Sequence, residues 1–567
     1  MIHDISELVE IASGRKKAGL VLKNVHIVNV FTQEIQFGDI AVSGNRIAGI
    51  GSYSGVEEVD LNGKYAVPGL IDGHMHLESS MVRPSEFARA VVPRGTTTVI
   101  ADPHEIANVC GLEGVRYLLD SSRDILLDVF FMLPSCVPAT PFDSPGASFG
   151  TAEMKKLMDD KRVLGLGEVM DYNGVAAAQR GLLDKIELFD GRIIDGHAPG
   201  LRGMALNAYA AAGIKTDHEC GEVDEMLEKL RLGLYVLIRE GSAAKDLSVL
   251  IKGVNSANMR RCVFCTDDRQ LEDIIKYGHI DNNIRVAVKN GVSPVSAITM
   301  ATLNTAECYG LKDRGAIAPG YAADIVVLDD LDKFIINSVY KNGRPVGRQE
   351  QHKPAFIPAA VANTVRIKPV DEELLNIKMD TPAANIIEIM PGSIVTKKTV
   401  REVTMEDGRF VCRKSSDPVK LAVIERHKAT GRIGLGLLDN FGLRGGAIAS
   451  TVSHDSHNII VAGDNDRDML AAINEINKNG GGITICSGGG AVRSLPLDIA
   501  GLISSKPYEE VCSVLGEMLG TARNMGVPAD MDPFMTLSFL ALTVIPEIRL
   551  TDRGLFDVSS YSFINVS

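Results

Sequence analysis

The sequence has no tryptophan, and aromatic residues make up only 5% of its 567 positions. That scarcity argues against a single-stranded nucleic-acid binder, which needs aromatic platforms for base stacking. Basic residues are also in deficit: 59 Lys and Arg stand against 72 Asp and Glu, a formal net charge of −13. Neutralising phosphates takes a basic surface, so no nucleic-acid partner is expected, although a local basic pocket stays open. No uncharged apolar run is long enough to cross a bilayer, and the opening MIHDISELVEIASGRKKAGL lacks the apolar core of a signal peptide. The expectation is therefore no membrane partner and a cytoplasmic location. Nine cysteines in so long a chain read as reduced thiols. Cys262 and Cys265 form a solitary CxxC in RCVFCTDD. With no second Cys or His pair nearby, they read as small residues on a buried strand, not a zinc knuckle. The glycine-rich GGGITICSGGGA lacks the Lys-Ser/Thr of a phosphate loop. No Gly-x-Ser-x-Gly elbow offers a serine nucleophile, and there is no internal repeat.

What remains is an ordinary globular composition, 45% apolar and 23% charged, in a chain too long for one core. Residues 20–60, with LVLKNVHIVNV and FGDIAVSGNRIAGIG, alternate apolar and polar positions between turn signals, as a small β unit does. The same texture returns at 315–346, in GAIAPGYAADIVVLDD and INSVYKNGRPV. We therefore expect a composite small β domain from 1–65 and 313–350, with 66–312 inserted as a domain of its own. That middle part carries eight strand-like runs: Gly69–Gly73, Thr97–Asp102, Leu126–Leu133, Val163–Glu168, Arg192–His197, Ile214–His218, Leu234–Ile238 and Val263–Asp267. The gaps between them are long enough for helices, so the fold class is α/β, a (β/α)8 TIM-like barrel. Residues 351–380 lack periodicity and read as a linker. Residues 381–567 read as a C-terminal mixed α/β domain.

In such a barrel, side chains at the strand C-termini converge on one mouth. Here the first strand runs into Asp72-Gly73-His74-Met75-His76, the fourth into Glu168, the fifth into His197, the sixth into His218 and the eighth into Asp267. Residues two apart on a strand face the same side, so His74 and His76 can share one ion. Four imidazoles and two carboxylates from five strands make a ligand mix suited to Zn, Mn or Fe.

The segment VPGLIDGHMHLESS resembles the signature of the amidohydrolase superfamily, and GLGEVM, DGHAPG, TDHE and CTDD continue it in order. ADPHEIANVCG and TVSHDSHNIIVAGDND resemble the adenine deaminases within it, and the resemblance covers nearly the whole chain. It implies a divalent metal cofactor, as two ions of Mn or Fe with Zn as an alternative; a single-ion site is also compatible. His74, His76 and Asp267 would hold one ion, His197 and His218 the second, with Glu168 as the bridge where many superfamily members use a carboxylated lysine. It further implies hydrolytic deamination of adenine, with water, to hypoxanthine and ammonia in purine salvage, by a homodimer. The chemistry is consistent: a divalent ion lowers the pKa of a bound water to about 7, hydroxide attacks C6, and protons must reach the ring nitrogen and the departing amine. Asp267 is the expected shuttle, with Glu78 as donor to the ring nitrogen and Glu168 also at the reacting centre.

Secondary candidates for substrate contact are His104 and Glu105 in Asp102-Pro103-His104-Glu105, then Ser79 and Arg83, and His454 and His457 in His454-Asp455-Ser456-His457. For Glu105 the competing reading is a helix N-terminal acid; for the His454 segment it is a self-satisfied turn or an additional ion site. Two other functions bear weighing. Opening of a cyclic amide, as in dihydroorotase-like or hydantoinase-like enzymes, is disfavoured by Glu168 and by the large C-terminal domain. A metal-free scaffold is disfavoured because every ligand position is filled. A cytidine-deaminase fold is excluded, because His76-Leu77-Glu78 has no Pro-Cys-x-x-Cys partner.

Overall fold

The computed structural model describes residues 5–347, 356–413 and 416–567. At its centre are eight parallel strands: β1 Leu70–Met75, β2 Thr96–Ala101, β3 Asp128–Leu133, β4 Val163–Val169, β5 Ile193–Gly196, β6 Thr216–Asp217, β7 Tyr235–Arg239 and β8 Cys262–Cys265. These match the eight expected runs with ends displaced by one or two residues. β1–β5 pair in order as one parallel sheet and β6–β8 as another. Two hydrogen bonds join the sheets into a ring. Lys215 N–H donates to the Ile194 carbonyl at 3.0 Å between β5 and β6. Asp267 N–H donates to the His74 carbonyl at 3.0 Å between β8 and β1. Strands walled in on both faces must be apolar throughout, and β1, β2 and β8 are buried at every position. Cys262 and Cys265 are free, buried thiols on β8.

One glycine on this ring has a direct consequence for the site. A Cβ on Gly167 would lie 2.1 Å from Asp102 Oδ2. Its absence lets the Asp102 carboxylate seat against β4 and accept the Glu168 N–H at 2.9 Å.

The chain on either side of the barrel forms one eight-stranded sheet. Tyr65–Pro68, just before β1, pairs antiparallel with Ile325–Asp330, just after the barrel. Lys341 Nζ in this sheet reaches back to Asp128 on β3 at 2.6 Å.

The C-terminal part is a second eight-stranded sheet covered by helices Asp466–Asn479 and Tyr508–Asn524. The first of these is locally well specified. Asn465 caps it by accepting the Asp468 N–H at 2.8 Å, and Gly480 ends it at φ 70°, the left-handed turn that glycine adopts without strain. The stretch read as a linker runs, from residue 356, along this sheet: Val365, Ile367 and Val370 pack on its core, and Arg366 N–H donates to the Arg426 carbonyl at 2.7 Å. Residues 1–4, 348–350 and 351–355 of the expected domains and linker lie outside the described residues. The C-terminal part docks on the barrel mouth, where Ser504 N–H donates to the Met81 carbonyl at 2.8 Å. Among the described residues no helix is long and apolar enough to cross a membrane.

Candidate metal centre and its surroundings

The end of β1 is braced before it presents any ligand. Asp72, fully buried, accepts the N–H groups of His74 (3.2 Å) and Thr266 (3.1 Å) and the Thr266 hydroxyl (2.5 Å). Its carboxylate thereby ties β1 to β8, while burial raises its pKa to about 7. Asp217 braces β6 in the same way, accepting the Ala198 N–H at 2.9 Å and Lys229 Nζ at 2.9 Å. These partners fix where the adjacent histidines point.

Beyond the braces, the strand-end side chains gather on Glu168. Its Oε1 lies 3.0 Å from His74 Nε2 and 3.1 Å from His76 Nε2. Its Oε2 lies 2.6 Å from His197 Nδ1 and 3.6 Å from His218 Nε2. Asp267 Oδ1 closes the first half, 3.1 Å from His76 Nε2 and 3.7 Å from His74 Nε2. All six residues named from the sequence therefore come together, as two groups sharing Glu168. Burial raises the pKa of Glu168, but the positive field of His218, the hydrogen bond from His197 and the closeness of the His74 and His76 rings outweigh it and hold the carboxyl well below the usual range. Asp267 is likewise pushed up by burial and pulled further down by His74, His76, His218 and Arg239.

The donors fit a cation. Both nitrogens of His74 and Oε1 of Glu168 are buried and have no hydrogen-bond partner, although His74 Nε2 and Glu168 Oε1 are in contact. Buried polar atoms without partners are costly, and a divalent ion between them satisfies both at once. Imidazole and carboxylate are the donors that Zn, Mn and Fe accept.

Two residues at this centre were not among the sequence candidates. Arg239, at the end of β7, contacts Glu219 with its guanidinium and reaches Asp267 Oδ2 at 3.1 Å and Asp246 Oδ2 at 2.7 Å. Glu219 lies 3.4 Å from His218 Nε2 and 3.7 Å from His197 Nδ1. Both sit at strand ends, so extending the rule that found the histidines by one residue reaches them.

The secondary candidates divide. Glu78 is buried on the turn Leu77–Ser80. Its Oε1 accepts the Ile106 N–H at 3.0 Å, its Oε2 has no partner, and burial raises its pKa to about 7. Ser79 donates its hydroxyl to Asp268 Oδ1. Arg83 is buried at the start of helix Pro84–Val91 with Nε unpartnered, and among the described residues no hydrogen bond or ion pair joins it to either histidine group. His104 stands between two carboxylates, Nδ1 3.8 Å from Glu168 Oε1 and Nε2 3.3 Å from Glu105 Oε1. Glu105 in turn receives both C-terminal histidines: His454 Nδ1 lies 2.5 Å from its Oε1, and His457 Nε2 contacts its Oε2. Burial lowers the pKa of His457 to about 4, whereas at His454 burial is outweighed by the charge and hydrogen bond of Glu105 together with the charges of Asp268 and Asp455, which raise it to about 9. The His454 ring stacks on Phe539, centroids 4.6 Å apart. Phe539 and Arg239 both line a cleft of about 1080 Å³ between the loops after β7 and β8 and the C-terminal domain.

A closed ring of parallel strands with buried His, Glu and Asp at its C-terminal ends is the architecture of a metal-dependent barrel hydrolase, and the amidohydrolase family matches residues 65–346. The adenine deaminase C-terminal domain matches residues 393–562. Curated adenine deaminases are similar along their whole length. That of Clostridium acetobutylicum is 53% identical over 99% of this chain and 100% of its own. That of Nitratidesulfovibrio vulgaris is 52% identical over 99% of both chains, and that of Geobacillus kaustophilus 48% over 98% of both. The chain belongs to the adenine deaminase family of amidohydrolases. That family implies a divalent metal, and the buried cluster around Glu168 can hold one.

Proposed function

We propose that this enzyme hydrolyses free adenine to hypoxanthine and ammonia. The observation that carries the reading is the Glu168-centred cluster, set in a chain alike end to end with curated adenine deaminases. His74, His76 and Asp267 would hold one divalent ion and His197 and His218 a second, with Glu168 between them; the donor set suits Mn, Fe or Zn. Such an ion supplies a nucleophile from water at neutral pH by lowering its pKa to about 7.

The remaining steps fall to the protein's own groups. Asp267 is held from behind, with Oδ2 on Arg239 at 3.1 Å, so Oδ1 is the oxygen that takes the proton from attacking water and delivers it to the departing amine. Glu78 keeps one oxygen without a partner and supplies the proton that the ring nitrogen needs once C6 becomes tetrahedral. The water's oxygen ends on C6; one of its protons leaves in the ammonia, and the other, lost from the C6 hydroxyl as the carbonyl forms and the C–N bond breaks, replaces the proton that Glu78 gave to the ring nitrogen. Cyclic-amide opening is not favoured: the β4 position is Glu168, not a lysine to carboxylate, and the full-length relatives are adenine deaminases. The test follows loss of adenine absorbance, hypoxanthine formation and ammonia release in metal-loaded protein, against adenosine, guanine, cytosine and dihydroorotate. Turnover of dihydroorotate with none of adenine would overturn the proposal.

A further inference from the structure

The second histidine-ringed carboxylate, Glu105, belongs to no part of the chemistry above, and its partners come from another domain. Hydrogen bonding fixes the state of each. Ser453 N–H donates to His457 Nδ1 at 3.1 Å. The ring's one remaining proton is therefore on Nε2, which faces Glu105 Oε2. His457 is thus a donor to Glu105 and not a ligand for an added ion. His454 Nδ1, 2.5 Å from the other oxygen, is a donor because its partner is a carboxylate oxygen, which can only accept. Glu105 is left with both oxygens occupied by N–H groups, and His454 with Nε2 as its free atom, since none of its hydrogen bonds uses that nitrogen. A carboxylate that fixes Nδ1 and leaves Nε2 to act is the way proteins aim an imidazole at a substrate.

Placement agrees. His104 alone separates Glu105 from Glu168, at 3.3 and 3.8 Å from its two nitrogens. The contacts His454–Glu105–His104–Glu168 therefore place His454 beside the metal centre, two side chains away from Glu168.

We propose that His454, presented by the C-terminal domain, is a substrate-contacting residue whose Nε2 hydrogen-bonds a ring nitrogen on the edge of the base away from the reacting carbon. Glu105 is its positioning residue and His457 the anchor of Glu105. This rests on adenine as substrate.

The experiment compares His454→Ala and His457→Ala in the full-length, metal-loaded enzyme, with steady-state kinetics on adenine, metal content, and added imidazole. A hydrogen bond to a charged partner is worth about 1.5–3 kcal/mol, so for His454→Ala we expect KM to rise about 10–150-fold at unchanged metal content, with imidazole restoring at least about tenfold. His457→Ala, whose role is structural, gains nothing from imidazole. His454→Gln, retaining an amide donor in place of the ring, lies between wild type and His454→Ala and serves if the alanine variant does not fold. An unchanged KM, a loss that imidazole does not repair, or equal rescue of both variants overturns the proposal. If wild type itself leaves adenine untouched, the reaction reading fails and takes this contact with it; if wild type is active and only the variant pattern fails, the contact alone falls.

Discussion

Glu168 and Glu105 are two buried glutamates, each ringed by histidines, and His104 touches both. They nevertheless differ in kind. Around Glu168 the two oxygens are unequal: Oε2 is hydrogen-bonded by His197 Nδ1 at 2.6 Å, but Oε1, only 3.0 Å from His74 Nε2, has no hydrogen-bond partner, and neither has that nitrogen. Around Glu105, each oxygen meets an imidazole N–H, one of them made a donor by a backbone amide on its far side. A carboxylate short of donors is a place for a cation; a carboxylate supplied with them is a rigid support. The residue types are nearly the same, and satisfaction of the donors separates the two.

The largest effect that tests this contrast is the paired replacement Glu168→Gln and Glu105→Gln. The first should lose metal and lose turnover by more than the 10²–10⁴-fold that a general acid–base group typically contributes. The second should keep its metal. Elemental analysis beside adenine turnover reads both, and equal metal loss in the two would erase the distinction. Next in size is Asp267→Asn. It keeps an oxygen facing His76 but cannot take a proton at neutral pH, so turnover should fall toward the upper end of about 10²–10⁴-fold with metal largely retained. Near-normal turnover with retained metal would move the shuttle to Glu78 or His104. Loss of metal in step with activity would make Asp267 chiefly a ligand.

The smallest effect concerns the support behind Glu105. His427 contacts the Ser456 carbonyl at 2.7 Å, and burial together with the Arg426 charge pushes its pKa down to about 3. The unfolded chain, with an ordinary histidine pKa near about 6.5, binds more protons in between. Stability from His427 is therefore complete above about pH 6.5 and is lost as the pH falls toward about 3. Thermal melts between pH 7.5 and 5 should show a decline of a few degrees that His427→Gln flattens. A decline of the same slope in the variant would remove His427 from the account.

Most of the Glu168 centre was legible in the sequence, because a barrel converts strand ends into a common location. Once eight apolar runs are marked, the polar residues that close them are candidates: Glu168, His197, His218 and Asp267 each end a run, and His74 and His76 lie just past the first. Arg239 escaped because the seventh run, as read, stopped one residue short of it. Glu219 escaped because attention ended at His218. The Glu105 centre was legible only as loose pieces. Glu105 and His454 are 349 residues apart, and no periodicity relates a barrel loop to a turn in another domain. The choice between an ion site and a hydrogen-bonded support depends on one backbone N–H, that of Ser453, whose direction no sequence pattern encodes. The packing of residues 356–380 escaped for a similar reason, since a chain can lie along a sheet by isolated side chains such as Val365 and Ile367 without alternation of its own.

The hydrogen bond from Asp267 N–H to the His74 carbonyl, described above as a seam of the barrel, has a further meaning for the order of assembly. The two residues it joins are the first and last along the chain of the six gathered around Glu168. During synthesis, His74 emerges nearly two hundred residues before Asp267 and must wait through seven strands for its partner. A half-made barrel thus offers histidines without the carboxylate of β8, and the full set of donors around Glu168 exists only once the ring has closed.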